Sequence, residues 1–166
     1  MGNAGSKPRG NQPRKIMRGG GGVGDENGAM KFVINSDLSQ QREIQRRILN
    51  AVESAGYHPD NVFAVKISLE EALINAIKHG NKLDPKKKVH IEASVSPSEA
   101  EIIIEDEGPG FNRGDVPDPT AEENLLKCSG RGILLMETYM DSVEYSKSGR
   151  RVRMIKRNVR PAKKAQ

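Results

Sequence analysis

Glu71, Asn75 and His79 follow one another at intervals of four residues, the spacing that stacks side chains along one face of a helix. A carboxylate and an amide oxygen placed this way can take a proton from a reacting hydroxyl and ligate a hard cation. Mg²⁺ suits such a pair: it takes oxygen ligands, keeps several waters, and needs few protein groups beside substrate phosphates. Lys78, three residues beyond Asn75, has the reach to meet an anion. By spacing alone the same residues also describe an ordinary solvated helix face.

Two glycine segments follow. An apolar run, Ile102-Ile103-Ile104, leads into Glu105-Asp106-Glu107-Gly108-Pro109-Gly110-Phe111. A carboxylate at a strand end can accept hydrogen bonds from an exocyclic amine such as that of adenine. The glycines allow positive φ and close approach of backbone to a ligand, although a plain β-turn would account for this segment taken singly. Further on, Ser129-Gly130-Arg131-Gly132-Ile133 opens a helix. Backbone N–H groups at a glycine-rich helix N-terminus bind phosphate. Neither the Walker A loop nor the Rossmann fingerprint is present. It is the order of the three segments, with a long irregular stretch between the glycine motifs, that points to a nucleotide site.

The elements that must position these residues are legible as periodicities. Residues 30–35 alternate as a strand. Residues 36–39 supply helix-capping side chains, and 39–55 carry Ile44, Ile48, Leu49 and Val52 at helical spacing, ending at Gly56. Pro59 and Asp60 open a second helix through Val62, Val65, Leu69 and Leu73 to about His79, closed by Gly80. Residues 89–95 and 101–105 are strands joined at Ser96-Pro97-Ser98, 133–140 a short helix, and 142–146 with 151–156 a hairpin across 147–150. Residues 106–130 lack periodicity and hold four Gly and three Pro. A loop this long in a compact domain, about 24 residues, is expected to be a lid when glycine motifs bracket it. The order predicts an α/β (α+β) two-layer sandwich: one mixed, mainly antiparallel sheet covered by helices on one face.

The chain has 166 residues and a net charge of +5, room for one domain with a real core. Residues 1–28 carry five Lys/Arg against two acids, and residues 156–166 carry five against none, so residues 29–155 hold a balance of −3. Basicity at the ends and a mildly acidic centre argue against direct nucleic-acid binding by the core. The absence of Trp and the scarcity of other aromatics argue against base-stacking platforms. The single Cys128 excludes an internal disulfide framework and a cysteine-built zinc site, and fits a reducing cytosol. No apolar run reaches membrane-spanning length and the N-terminus lacks an apolar signal core. The expectation is a cytoplasmic protein with a Gly-rich basic tail over 1–28, one domain over 29–157 and a basic tail over 158–166.

With these motifs in hand, the chain resembles the GHKL ATP-binding superfamily over about residues 35–157, and within it bacterial anti-sigma regulatory factors, the serine kinases of partner-switching systems. The resemblance implies a Bergerat-type ATP-binding fold with a long ATP lid. It implies that ATP and Mg²⁺ are bound, with Glu71 as catalytic base, Asn75 as the metal ligand, and Lys78 and His79 beside it. Asp106 would take the adenine amine, Gly108, Gly110 and Phe111 would shape the pocket, and Gly130, Arg131, Gly132 and Ile133 would close over the phosphates. The implied partners are an anti-anti-sigma (STAS-type) antagonist and a sigma factor, and the implied assembly is a homodimer. One departure stands out: Gly149-Arg150-Arg151-Val152 occupies the place where many members carry Gly-Thr-Thr, so the Thr contact to the adenine site is not carried over.

Three functions compete on this basis. A serine/threonine protein kinase acting on the antagonist uses Glu71 as base. A non-catalytic module uses ATP only to stabilise the form that sequesters a sigma factor or other regulator. An ATP hydrolase would require transducing domains for which the length leaves no room. A histidine kinase is disfavoured, because relatives of that kind usually carry Asn where Glu71 stands and need a phosphoacceptor His on an upstream helix.

Overall fold

The structure, a computed structural model, describes residues 23–24, 29–110 and 131–159. Eleven short elements follow in order: β1 (Val23–Gly24), β2 (Ala29–Asn35), a 3₁₀ turn (Leu38–Gln40), α1 (Gln41–Ser54), α2 (Pro59–Ile74), a π-helical turn (Asn75–Gly80), β3 (Lys88–Val95), β4 (Glu99–Asp106), α3 (Arg131–Tyr139), β5 (Ser142–Ser146) and β6 (Arg151–Arg157). The six strands form one sheet in the order β1-β2-β3-β4-β6-β5. Every described pairing is antiparallel, which corrects the expectation of a mixed sheet. Both helices between β2 and β3 lie in one crossover, and the chain returns with its direction reversed.

The pleat separates the two faces cleanly. Phe32 and Ile34 of β2, Val89, Ile91 and Ala93 of β3, Ala100, Ile102 and Ile104 of β4, and Val152 and Met154 of β6 are buried. Their registers set Phe32 opposite Ile91, Ile91 opposite Ile104, and Ile104 opposite Val152. The helices pack on this face through Ile44, Ile48 and Val52 of α1, Val65, Leu69 and Leu73 of α2, and Ile133 and Met136 of α3. The opposite face carries charge: Glu101 pairs with Arg153, and Glu105 with Lys147 at 2.6 Å. Exposed pairs of this kind contribute about 1 kcal/mol or less each, so the apolar layer holds the fold.

The helix ends follow from local chemistry. Asp37 caps the 3₁₀ turn by accepting from the Ser39 N–H at 2.9 Å. Gly56 takes φ +79° after α1, a conformation that suits glycine at a helix end. The His58 ring accepts from the Asp60 N–H at 3.3 Å, ahead of Pro59 in the first turn of α2. The last turn departs from the expected α-helix. From Asn75 to Gly80 the chain adopts π geometry, and the Asn81 and Leu83 N–H groups donate to the Ala76 and Ile77 carbonyls. Periodicity cannot announce a π turn because it inserts only one extra residue per turn; such turns recur at functional sites.

Two sets of contacts lie outside residues 29–157. Val23–Gly24, assigned to the N-terminal tail, pair with Met30 and Lys31 as a short edge strand. At the other end Asn158 clasps the body, donating from Nδ2 to the Pro97 carbonyl at 2.9 Å and accepting at Oδ1 from the His58 N–H at 3.3 Å. No described helix is long and apolar enough to cross a membrane.

Leu69 is fully buried where α2 meets the sheet. Leu69→Ala is expected to lower unfolding free energy by about 2–5 kcal/mol, read as a reduced urea midpoint at unchanged slope. A loss below about 0.5 kcal/mol would mean that α2 is not the centre of the core.

Candidate functional site

Between α2, the π turn, α3 and the ends of β4 and β6 lies a cavity of about 620 Å³, a size suited to a small organic ligand. Its walls are mostly apolar, from Ala72, Ala76, Ile104, Ile133, Met136 and Val152. The polar groups that reach it are few: Glu71, Asn75, His79, Asp106, Tyr145, Arg131 and Arg150. An apolar slot with sparse, convergent polar groups is the usual form of a nucleotide or cofactor site.

Asp106 lines the cavity together with Gly80, Ile104 and Arg150. It is the last inward-facing residue of β4, opposite Val89, and is 8% exposed. Three backbone features fix it. Its own N–H donates to the Arg150 carbonyl at 3.0 Å. Its Oδ1 accepts the Gly108 N–H at 2.7 Å. Gly80 lies so close that a Cβ there would overlap the Asp106 carboxylate, and one on Gly108 would strike the Gly80 carbonyl. Burial pushes the Asp106 carboxyl above the ordinary range, against opposing help from the Gly108 N–H and the Arg150 charge.

Glu71 faces the first turn of α3. A Cβ on Gly132 would collide with Glu71 Oε2 and come within 3.6 Å of Asn75 Nδ2. The glycine therefore lets the start of α3 close onto the helix that carries both side chains. Burial, with the neighbouring Glu70 charge, raises the Glu71 pKa and makes its carboxylate a stronger proton acceptor. The π turn completes the alignment. With more residues per turn it keeps His79 on the face of Glu71 and Asn75, and it carries Lys78 off that face into solvent, exposed and away from the cavity wall.

The residues singled out in the sequence thus divide. Glu71, Asn75, His79, Asp106, Gly110, Arg131, Gly132 and Ile133 line one cavity, Gly108 supports it from behind, and Lys78 stands apart. Phe111, Gly130 and the lid lie outside the described residues. Four contributors were not read from the sequence. Gly80 was taken as a helix stop, yet its missing side chain makes room for Asp106. Tyr145 and Arg150 reach the cavity from the terminal hairpin. Asn81 is fully buried; it donates from Nδ2 to Ser36 Oγ at 2.7 Å and the Lys88 carbonyl at 2.8 Å, and accepts the Glu107 N–H at 2.8 Å. It ties the π turn to β3 and to the residue after Asp106. A polar residue directly after a helix-ending Gly was the available signal.

The residues present fit an adenine nucleotide with a hard cation: an amine acceptor in an apolar slot, an amide oxygen beside a carboxylate, and the N-terminus of α3 at the Glu71 end. Among the described residues no group of three or more His, Cys, Asp or Glu could hold a metal, so a cation here would depend on phosphate oxygens for most of its non-water ligands.

Comparison with known proteins agrees with this geometry. The family of the histidine kinase-like ATPase domain matches residues 34–156. An anti-sigma F factor of Clostridium perfringens (strain SM101) is 39% identical over 94 residues, covering 55% of this chain and 67% of that protein. The serine-protein kinase RsbW of Bacillus subtilis (strain 168) is 35% identical over 107 residues, covering 60% of this chain and 67% of the relative. The crystal structure of the RsbU and RsbW domains of a Mycobacterium tuberculosis protein superimposes with a TM-score of 0.51 at 12% identity, over 82% of this chain and 34% of that one, a likeness of fold alone.

Asp106 yields a test that needs no ligand. A carboxyl whose pKa is raised on folding contributes stability below its unfolded value, near 3.8, and loses it as pH rises through the folded value. Asp106→Asn removes the buried charge and keeps an oxygen for the Gly108 N–H. Its melting temperature at pH 7 is expected to equal or exceed that of the wild type, and to gain less on acidification towards pH 4. A large drop at pH 7, with an unchanged acid response, would contradict the burial account.

Proposed function

We propose, from the premise that this chain belongs to the histidine kinase-like ATPase domain family, that it is an ATP-dependent serine/threonine protein kinase of a partner-switching system. Its substrate would be a small anti-anti-sigma antagonist of STAS type, and in its unswitched state it would hold a sigma factor. The observation that carries this reading is the placement of Glu71 against Gly132, with its proton affinity raised by burial and Asn75 one turn on. A site that only held nucleotide would gain nothing from a desolvated carboxylate facing the phosphate end, since such a group repels phosphate charge. The kinase and anti-sigma names of the relatives support the same assignment.

Each residue then has a role. Asp106 accepts from the adenine amine while the apolar walls exclude water from the base. The N-terminal N–H groups of α3, with Arg131 in its first turn, receive phosphate oxygens, where the helix end carries partial positive charge. Asn75 offers its amide oxygen to Mg²⁺, which when bound supplies neutralisation of phosphate charge. Glu71 takes the proton of the substrate hydroxyl as that oxygen attacks, and its neighbour Gly132 keeps the approach open. A cytoplasmic location and a homodimer complete the reading by resemblance.

Purified protein incubated with Mg²⁺-ATP and its antagonist is expected to place phosphate on a Ser or Thr of the antagonist, detected by mass spectrometry. Glu71→Ala is expected to lower the rate by at least about 100-fold, the contribution of a positioned general base, while ATP affinity changes little. Equal rates in both proteins would overturn the role of Glu71. ATP binding with no transfer by the wild type, and partner binding that survives the substitution, would establish the non-catalytic module instead.

A further inference from the structure

The turn between β5 and β6 does more than connect strands. Lys147 and Ser148 take φ +51° and +55°, and Gly149 follows at +83°. The turn is tied to the end of β4 twice: Lys147 Nζ donates to both Glu105 oxygens at 2.6 and 2.8 Å, and the Asp106 N–H donates to the Arg150 carbonyl at 3.0 Å. Gly110 is held by the same turn, since a Cβ there would strike the Ser148 carbonyl and lie 3.3 Å from Arg150 Cγ. Val152 and Met154 face the core. Arg150, the last residue of the turn before β6, lines the same cavity as Asp106. Among the described residues its guanidinium makes one hydrogen bond, from Nε to the Lys147 carbonyl at 3.2 Å. That bond orients the fork and leaves both Nη groups without a partner among those residues.

We propose that Arg150 is a specificity-determining residue that reads the base together with Asp106: the carboxylate accepts from the exocyclic amine of adenine, and the guanidinium donates to the ring nitrogen next to that amine, N1 or N7. This rests on the nucleotide site proposed above. The chemistry is directional. Asp106 as carboxylate only accepts and Arg150 only donates. Adenine presents a donor beside an acceptor, and matches. Guanine presents a carbonyl at the amine position, which would set an acceptor against the Asp106 carboxylate. The guanidinium also balances a charge that would otherwise be buried alone, and Arg is suited to this because it stays charged and has a rigid fork of donors.

The test is calorimetric titration of the full chain with Mg²⁺-ATP, 1-deaza-ATP and 7-deaza-ATP, in the wild type, Arg150→Met and Arg150→Lys. Each deaza analogue replaces one ring nitrogen by CH. The wild type is expected to bind one of the two analogues at least about 10-fold more weakly than ATP, the value of a hydrogen bond from a charged donor. In Arg150→Met, which keeps an unbranched apolar stem, ATP and that analogue are expected to bind within about 2-fold of each other. Arg150→Lys retains a donor and is expected to recover part of the discrimination, which a merely structural defect would not. Equal binding of all three ligands by the wild type overturns the inference while leaving the nucleotide site standing. So does an Arg150→Met variant that loses the same factor for all three, the mark of a phosphate or packing contact. A wild type that binds none of them overturns both.

Discussion

A carboxylate has to be kept at the buried end of a sheet, and much of the surrounding structure follows from that requirement. Asp106 ends the inward-facing row of β4, where the other inward positions are Ala100, Ile102 and Ile104. An ionised group in that position is costly unless partners surround it. The chain meets the cost with the Gly108 N–H, the Arg150 charge, and two glycines small enough to let backbone approach. Burial outweighs these partners and holds the Asp106 carboxyl above its ordinary range. A group left partly uncompensated is poised to gain from a donor that arrives with a ligand.

The π turn and Asn81 serve the same end. The turn brings Gly80 against Asp106 and keeps His79 in line with Glu71 and Asn75. Asn81 then spends its side-chain amide on Ser36, Lys88 and Glu107, fastening the helix end to the neighbouring strands. The regions around Glu71 and around Asp106 are thereby joined through one short stretch of backbone. Gly132 adds the third side by letting α3 close on Glu71.

Much of this arrangement could be read before any coordinates. Ile44, Ile48 and Val52, like Val65, Leu69 and Leu73, declare helices because a single buried face forces their spacing. The strands declare themselves by alternation, and Glu71, Asn75 and Asp106 by lying on or beside glycine-bounded elements. What escaped notice was set by tertiary contact. Gly80 looks like any helix stop until Asp106 is placed against it. Lys78 has suitable spacing in an α-helix and loses it in a π turn. The antiparallel course of every described strand depends on where crossovers land, which local patterns do not encode. Arg150 was visible only as a departure from Gly-Thr-Thr; that it reaches the cavity is set by the turn that ties it to the end of β4. The edge strand Val23–Gly24 sits in a glycine-rich context with no alternation to reveal it.

The central claim, that this cavity takes an adenine nucleotide through Asp106, is tested most directly by calorimetric titration of Mg²⁺-ATP into the wild type and into Asp106→Asn. Loss of a charged acceptor for the base amine, with the fold intact, predicts saturable one-site binding by the wild type and an affinity at least about 10-fold weaker in the variant. Equal affinities, or a wild type that takes up no ATP, would contradict the account.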